Sequence, residues 1–98
     1  MAHKIVWTEE AANDIESVLE YLKENWPQAV AENFLLELYL KLDLIALHPN
    51  AGKVSRYSQI RKILITKHNA LYYLVSASRI TLLNIFDTRQ DPKKDLYQ

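Results

Sequence analysis

Nine side chains chosen from the C-terminal part of this 98-residue chain are of cationic or acid–base types that suit chemistry on a phosphodiester. They are Arg61, Lys62, Lys67, His68, Tyr72, Arg89, Lys93, Lys94 and Tyr97. Cleavage of RNA by its own 2′-hydroxyl needs a general base, a general acid and cations beside the phosphate. A plainer interpretation stays open, because lysine and arginine on an exposed sheet face are commonly solvated and Tyr72 can simply cover the sheet. The sequence has no phosphate-binding glycine loop, nucleophile elbow or HExxH motif.

The stretch Ile60 to Arg89 must position most of these side chains. Three runs rich in Ile, Leu, Val, Thr and Tyr are separated by His68-Asn69 and by Ala77-Ser78-Arg79. Connections this short predict an antiparallel meander of three strands. Asn69 tolerates positive φ and is expected to form the first turn. The middle run is apolar on both faces, which indicates a central strand with Leu71, Tyr73 and Val75 pointing inward.

The first half of the chain predicts a strand followed by two helices. His3 to Trp7 is rich in strand formers, and Thr8 can cap a helix over Thr8 to Asn25. Pro27 ends that helix and suits the start of a second, over Pro27 to His48. Apolar residues at helical spacing, including Trp26 and Val30, predict faces that pack on the sheet. The expected fold is α+β: an N-terminal strand, an antiparallel helical hairpin and a three-stranded meander, with the helices on one sheet face.

A second apolar stripe lies on the opposite side of the second helix from the face that meets the core. We call it the leucine stripe; it consists of Leu36, Leu40, Leu44 and Leu47. One two-layer core does not need a second stripe. It either covers the first helix or is an exposed surface for a partner.

The turn His48-Pro49-Asn50-Ala51-Gly52 contains the one glycine of the chain, which is expected to end the turn after the second helix. Lys53 to Gln59 follows as a polar connection without periodicity. The sequence therefore predicts no further strand before Ile60.

Length and composition indicate a single domain over residues 1–98, with 49% hydrophobic residues and no cysteine. The three histidines lack metal-ligand spacing, so no metal or cofactor is expected. The N-terminus has no signal-peptide core and no segment is apolar enough to cross a membrane, so a cytoplasmic location is expected.

Formal net charge is zero, but it divides unevenly along the chain. Residues 1–52 carry three basic and nine acidic side chains, whereas residues 53–98 carry nine basic and three acidic ones. Either the two halves attract each other within the fold, or they steer partners of opposite charge to opposite sides.

The order of these elements resembles the RelE/ParE superfamily of toxins from type II toxin–antitoxin systems, over nearly the whole chain. The resemblance is carried by Trp7 to Ile15, by Ala31 to Phe34 and the leucines of the second helix, by His48 to Gly52, by Arg61, by Leu71-x-Tyr73-x-Val75 and by Asp87 to Pro92. It implies a toxin with a cognate antitoxin as partner and a possible homodimer or toxin–antitoxin hetero-oligomer. DNA gyrase and the ribosome are the alternative targets.

The resemblance implies different roles in the two branches of the superfamily. In a ribosome-dependent mRNA endoribonuclease like RelE, Arg61, Arg89 and Tyr97 would be the catalytic residues, but such enzymes place an arginine where this chain has Ala70. That substitution and the zero net charge favour a ParE-like toxin that binds gyrase without cutting RNA. The antitoxin would bind the leucine stripe together with Arg61 and Lys62. An inactive binding module of the same fold is a third possibility.

Overall fold

Five strands form one sheet, and two helices lie against one of its faces. The computed structural model describes residues 2–97. In chain order the elements are β1 (Lys4–Trp7), α1 (Glu9–Asn25), α2 (Gln28–Leu47), β2 (Lys53–Val54), β3 (Ile60–Thr66), β4 (Asn69–Val75) and β5 (Arg79–Asp87), with one-turn 3₁₀ helices at Pro49–Ala51 and Pro92–Lys94. Only Trp26 and Pro27 join the two helices, so the helices form the predicted hairpin. Neither helix of the described chain has the length and apolarity to cross a membrane.

The strand order in the sheet is β1-β5-β4-β3-β2. The antiparallel meander β3-β4-β5 and the central position of β4 confirm the sequence prediction. β1 adds to the free edge of β5 as a parallel strand. The prediction of an unstructured connection from Lys53 to Gln59 was wrong in part, because Lys53 and Val54 pair with Lys62 and Arg61 as a short edge strand. A strand of two residues is too short to show an alternating pattern in the sequence.

The core lies between the helices and the sheet face toward them, which we call the inner face. Its buried residues from the helices are Ala11, Ile15, Phe34, Leu38, Leu42 and Ile45, and those from the sheet are Ile65, Leu71, Tyr73, Ile80 and Leu82. Alternation along β4 points Leu71 and Tyr73 inward, with Val75 packed beside them. This confirms the predicted inner side of the central strand.

Two polar residues at the start of the helical layer fix α1 against β5. The hydroxyl of Thr8 accepts a hydrogen bond from Ala11 N at 3.1 Å and donates one to Leu82 O at 2.7 Å. A carboxylate oxygen of Asp14 accepts from Ile85 N at 2.9 Å, beyond the register shift between β4 and β5. Asp14 thus satisfies a backbone donor close to that irregularity in the ladder.

The β3–β4 turn differs from the prediction. β4 already begins at Asn69, and no described non-glycine residue has positive φ, so Asn69 does not act as a left-handed turn residue. The hydroxyl of Thr66 instead accepts from His68 N at 3.3 Å and from Asn69 Nδ2 at 3.0 Å. A register shift between Leu64 and Thr66 accompanies this turn.

Gly52 is required by close packing, and its backbone conformation alone does not demand glycine. Its φ is −78°, which any residue can adopt. A Cβ atom there would lie 2.5 Å from Tyr73 Oη and 2.8 Å from Lys62 O. Gly52 N donates to Tyr73 Oη at 2.9 Å, and this hydroxyl donates in turn to Pro49 O at 2.8 Å. The 48–52 turn is therefore held on the sheet by the tyrosine beneath it.

Two residues assigned to the packed helix faces lie largely outside the core. Trp26 is 55% exposed because α1 ends before it, and Val30 is 36% exposed near the start of α2. The helical pattern is correct, but at this end of the hairpin the sheet does not extend far enough to cover it.

Candidate functional site

The sheet face away from the helices, the outer face, carries a polar row across its three central strands. Lys62 of β3 pairs with Tyr72 of β4, and Tyr72 pairs in turn with Asn84 of β5. Directly paired residues project from the same face. Asn84 Oδ1 is buried and has no hydrogen-bond partner within residues 2–97. Together these residues form a polar row on the outer face, next to an apolar row of Leu64, Ala70 and Phe86.

The C-terminal segment, residues 91–97, lies over this row. Tyr72 Oη donates a 2.5 Å hydrogen bond to a carboxylate oxygen of Asp95. The ring of Tyr97 packs beside Tyr72 with centroids 5.1 Å apart and against Tyr57 at 6.2 Å. Arg56 N donates to Tyr97 O at 3.2 Å. The segment is thus fastened both to the central strand and to the β2–β3 loop.

Ionisation of Tyr72 is expected to weaken the fold at alkaline pH. Burial, together with the hydrogen bond to Asp95 and its charge, raises the pKa of Tyr72 above the ordinary value of 10. The folded state therefore holds this proton more tightly than the unfolded state, so the stabilisation is complete below pH 10 and is lost as pH rises above 10, by up to about 1.4 kcal/mol per pH unit. Urea unfolding between pH 9 and 11.5 should show a shallower decline in Tyr72→Phe, and parallel curves for both proteins would contradict this.

Arg61, expected at a catalytic or antitoxin-binding site, lies on the inner face, where it pairs with Tyr73. Its guanidinium donates to Gly52 O at 2.7 Å and to Asn50 O at 3.3 Å. It therefore supports the 48–52 turn. The sheet separates it from Lys62, Tyr72 and Tyr97.

Arg89 follows β5 and is held by a neighbouring carboxylate. Its Nε and Nη2 atoms donate to the two oxygens of Asp87 at 3.0 and 2.8 Å. This contact holds the pKa of Asp87 below its usual range. A cation neutralised in this way is less available to a phosphate. Arg61, Arg89 and Tyr97 thus do not meet in one arrangement.

Ala70 is completely buried in β4, between Leu64 of β3 and Phe86 of β5. The local packing around Ala70 is therefore apolar, and the described chain places no cation there.

The leucine stripe on α2 is exposed to solvent. Leu36, Leu40, Leu44 and Leu47 are 57, 52, 39 and 63% exposed. The alternative that the stripe covers the first helix is therefore wrong. Tyr39, also 59% exposed, extends the stripe on one side. An apolar surface of this extent on the described face is typical of a protein contact.

The uneven charge of the sequence maps onto the two layers. All nine acidic residues of the first half lie in α1 and α2. The basic residues after position 52 lie on the sheet, its loops and the C-terminal segment. The leucine stripe consequently belongs to the acidic layer, and Lys62 belongs to the basic outer face.

Sequence reasoning missed Asp95 and Tyr57, which complete the outer-face cluster with Tyr72 and Tyr97. Neither residue belongs to a periodic pattern, because one is in a loop and the other in the C-terminal segment. The only signal in the sequence for this cluster was the presence of tyrosines at positions 57, 72, 73 and 97. No group of three or more acidic, histidine or cysteine side chains suited to a metal ion occurs in residues 2–97.

Comparisons with known proteins agree with this architecture. The sequence profile of the family described as "ParE toxin of type II toxin-antitoxin system, parDE" matches residues 5–92. A solved structure of the chromosomal ParDE toxin–antitoxin system from P. aeruginosa is similar with a TM-score of 0.73, 16% identity and coverage of 88% of this chain and 96% of that one. No curated protein matches the chain in sequence.

Two further solved structures share the fold. The YoeB dimer from Staphylococcus aureus has a TM-score of 0.62, with 12% identity over 92% of this chain and 100% of that one. The E. coli DinJ–YafQ toxin–antitoxin complex also has a TM-score of 0.62, with 8% identity over 89% of this chain and 93% of that one. The fold and the family profile together define a toxin of the RelE/ParE superfamily of type II toxin–antitoxin systems. Within that superfamily, the chain belongs to the ParE toxin family.

Proposed function

We propose that this chain arrests growth by binding DNA gyrase and not by cutting RNA, and that a cognate antitoxin neutralises it in the cytoplasm. The supporting observation is the dispersal of the three groups that a nuclease would need. Arg61 is bonded to a turn on the inner face, Arg89 is paired with Asp87, and Tyr97 is packed on the outer face. Catalysis of phosphodiester cleavage needs such groups converging on one phosphate.

Two surfaces support an antitoxin as the partner. The leucine stripe offers exposed apolar area on the acidic layer, and Lys62 belongs to the basic outer face on the other side of the domain. A single flat interface cannot reach both. An antitoxin that contacts both must wrap around the domain, with an amphipathic helix on the stripe.

Two assays on the same purified protein test the target. Gyrase supercoiling should be inhibited, and mRNA in a cell-free translation reaction should stay intact. Cleaved mRNA with normal supercoiling would replace the proposal by the endoribonuclease. Unimpaired host growth when the chain is expressed without an antitoxin would instead indicate an inactive binding module.

Replacing Tyr97 by phenylalanine separates the two mechanisms, because it removes the hydroxyl and keeps the ring that packs beside Tyr72 and Tyr57. Growth arrest by Tyr97→Phe is expected to stay within about twofold of the parent chain. A nuclease using this hydroxyl as acid or base would lose about 10²–10⁴-fold in rate. The measurement is growth arrest after induction, with far-UV circular dichroism as the control for folding.

A further inference from the structure

A groove of about 980 Å³ lies beside the Trp26-Pro27 connection of the helical hairpin, outside the leucine stripe and the outer-face cluster. One wall comes from the C-terminal part of α1 and the N-terminal part of α2. The other comes from the β3–β4 turn and the residues after β5. Phe34 and Ile85 also line it. We call it the hairpin groove.

The helical wall of the hairpin groove is apolar and exposed. Tyr21 and Trp26 are 52 and 55% exposed, and Val30 is 36% exposed. Two large aromatic side chains in solvent beside a concave surface are typical anchors for a partner's apolar side chains. Trp26 and Val30 are also the two positions at which the predicted packed faces of the helices stay exposed.

The opposite wall is cationic at its rim. Lys67 and His68 form the β3–β4 turn, and Arg89 lies close by but is paired with Asp87. Lys67 is exposed and has no ion-pair partner among the described residues. A carboxylate brought to this rim would gain an interaction that the isolated chain does not supply.

The balance of charge in the hairpin groove disfavours a polyanion such as a nucleic acid. Its lining contains two acidic residues, Asp14 and Asp87, against the two cations Lys67 and Arg89. Nucleic-acid surfaces need an excess of cations to neutralise successive phosphates. One or two carboxylates beside an apolar side chain match the lining better.

An extended occupant is favoured by the neighbouring strand. β2 pairs only with Arg61 and Lys62. The edge of β3 away from β4 therefore has no strand partner from Ile63 to Thr66 within residues 2–97. Thr66, at the end of this edge, also lines the groove. An added segment could continue from the groove along that edge through main-chain hydrogen bonds.

We propose that the hairpin groove binds an extended, acidic segment of the partner protein, with a large apolar side chain against Tyr21 and Trp26 and a carboxylate beside Lys67. The inference rests on the proposed function in one respect, namely that the partner is the antitoxin. It assigns the acidic segment to this groove and leaves the leucine stripe to a separate part of the same partner.

Selection from a displayed library of random 12-residue peptides on the purified full chain tests the groove without the natural partner. The selected peptides should combine acidic residues with Leu, Phe or Trp. Trp26→Ala should weaken their binding at least tenfold, and Lys67→Glu should shift the selected sequences from acidic to basic. Both side chains are exposed, so neither change is expected to prevent folding. Leu40→Ser, on the leucine stripe, is the matched control and should bind the same peptides as the parent chain.

Several results would overturn the assignment. These are a selection without binders, binders unaffected by Trp26→Ala and Lys67→Glu, and competition for the groove by a twelve-residue oligothymidylate. The gyrase assay is independent of this selection. Groove-dependent peptides with normal supercoiling would reject only the proposed target, whereas gyrase inhibition with groove-independent peptides would reject only the groove.

Discussion

Gly52→Ala is expected to lower the free energy of unfolding by about 3 kcal/mol. The added Cβ would lie 2.8 Å from Lys62 O and 2.9 Å from Tyr73 Cε1. Lys62 O belongs to the strand backbone and cannot rotate away. Overpacking costs about 1–3 kcal/mol, and displacing Tyr73 Oη from its bonds to Gly52 N and Pro49 O costs about 1 kcal/mol for each. For a domain of this size the midpoint of thermal unfolding should fall by about 12–24 °C.

A double-mutant cycle with Tyr73→Phe identifies the source of that loss. Phenylalanine removes the hydroxyl that would be 2.5 Å from the new Cβ, but leaves the backbone contact with Lys62 in place. The double variant should therefore be more stable than the sum of the two single losses predicts, by about 1 kcal/mol. Strict additivity in urea unfolding would show that the hydroxyl does not restrict residue 52.

The sequence indicates that Gly52 ends a turn, but it does not show why glycine is required there. A glycine after a helix commonly supplies positive φ, and that is a local rule. At Gly52 the requirement comes from Tyr73, which lies 21 residues later in the sequence and is brought close only by the sheet. Contacts between residues so far apart cannot be predicted from the spacing of neighbouring residues.

The main elements of the fold were predictable because periodicity and breakers are local. Thr8 and Pro27 mark the two helix starts to within a residue, and the apolar residues on both faces of β4 identify the central strand. β2 was not predictable, since its two residues pair only because β3 lies beside them. The exposure of Trp26 depends likewise on where the sheet ends and not on the helical pattern that includes it.

The candidate site was predictable in composition but not in arrangement. The sequence listed Tyr72 and Lys62 among the candidate side chains, and the structure shows that they pair on the same sheet face. It grouped Arg61 with Arg89 and Tyr97, although strand alternation alone places Arg61 on the face opposite Lys62. The position of Tyr97 depends on the path of the C-terminal segment, which is fixed by Asp95 and by the backbone of Arg56.

Leu40→Asp, at the centre of the leucine stripe, is expected to weaken antitoxin binding by about 2–4 kcal/mol, or roughly 30- to 1,000-fold. Leu40 is 52% exposed in the isolated chain, so the charged side chain stays in water and folding should change little. In the proposed complex, the same carboxylate would be buried against the antitoxin helix without a partner, in a layer that is already acidic. Cells expressing both proteins should then arrest growth although the antitoxin is present.

Leu96→Asp is the comparison variant, because it places the same charge on a leucine that is 60% exposed in the C-terminal segment over the outer face, away from the stripe. Calorimetric titration of both variants with the purified cognate antitoxin compares the two sites directly. Binding that is equally strong for Leu40→Asp and Leu96→Asp would remove the stripe from the interface. A loss confined to Leu40→Asp would assign the acidic layer to the antitoxin helix and leave the basic outer face and the hairpin groove for the rest of its chain.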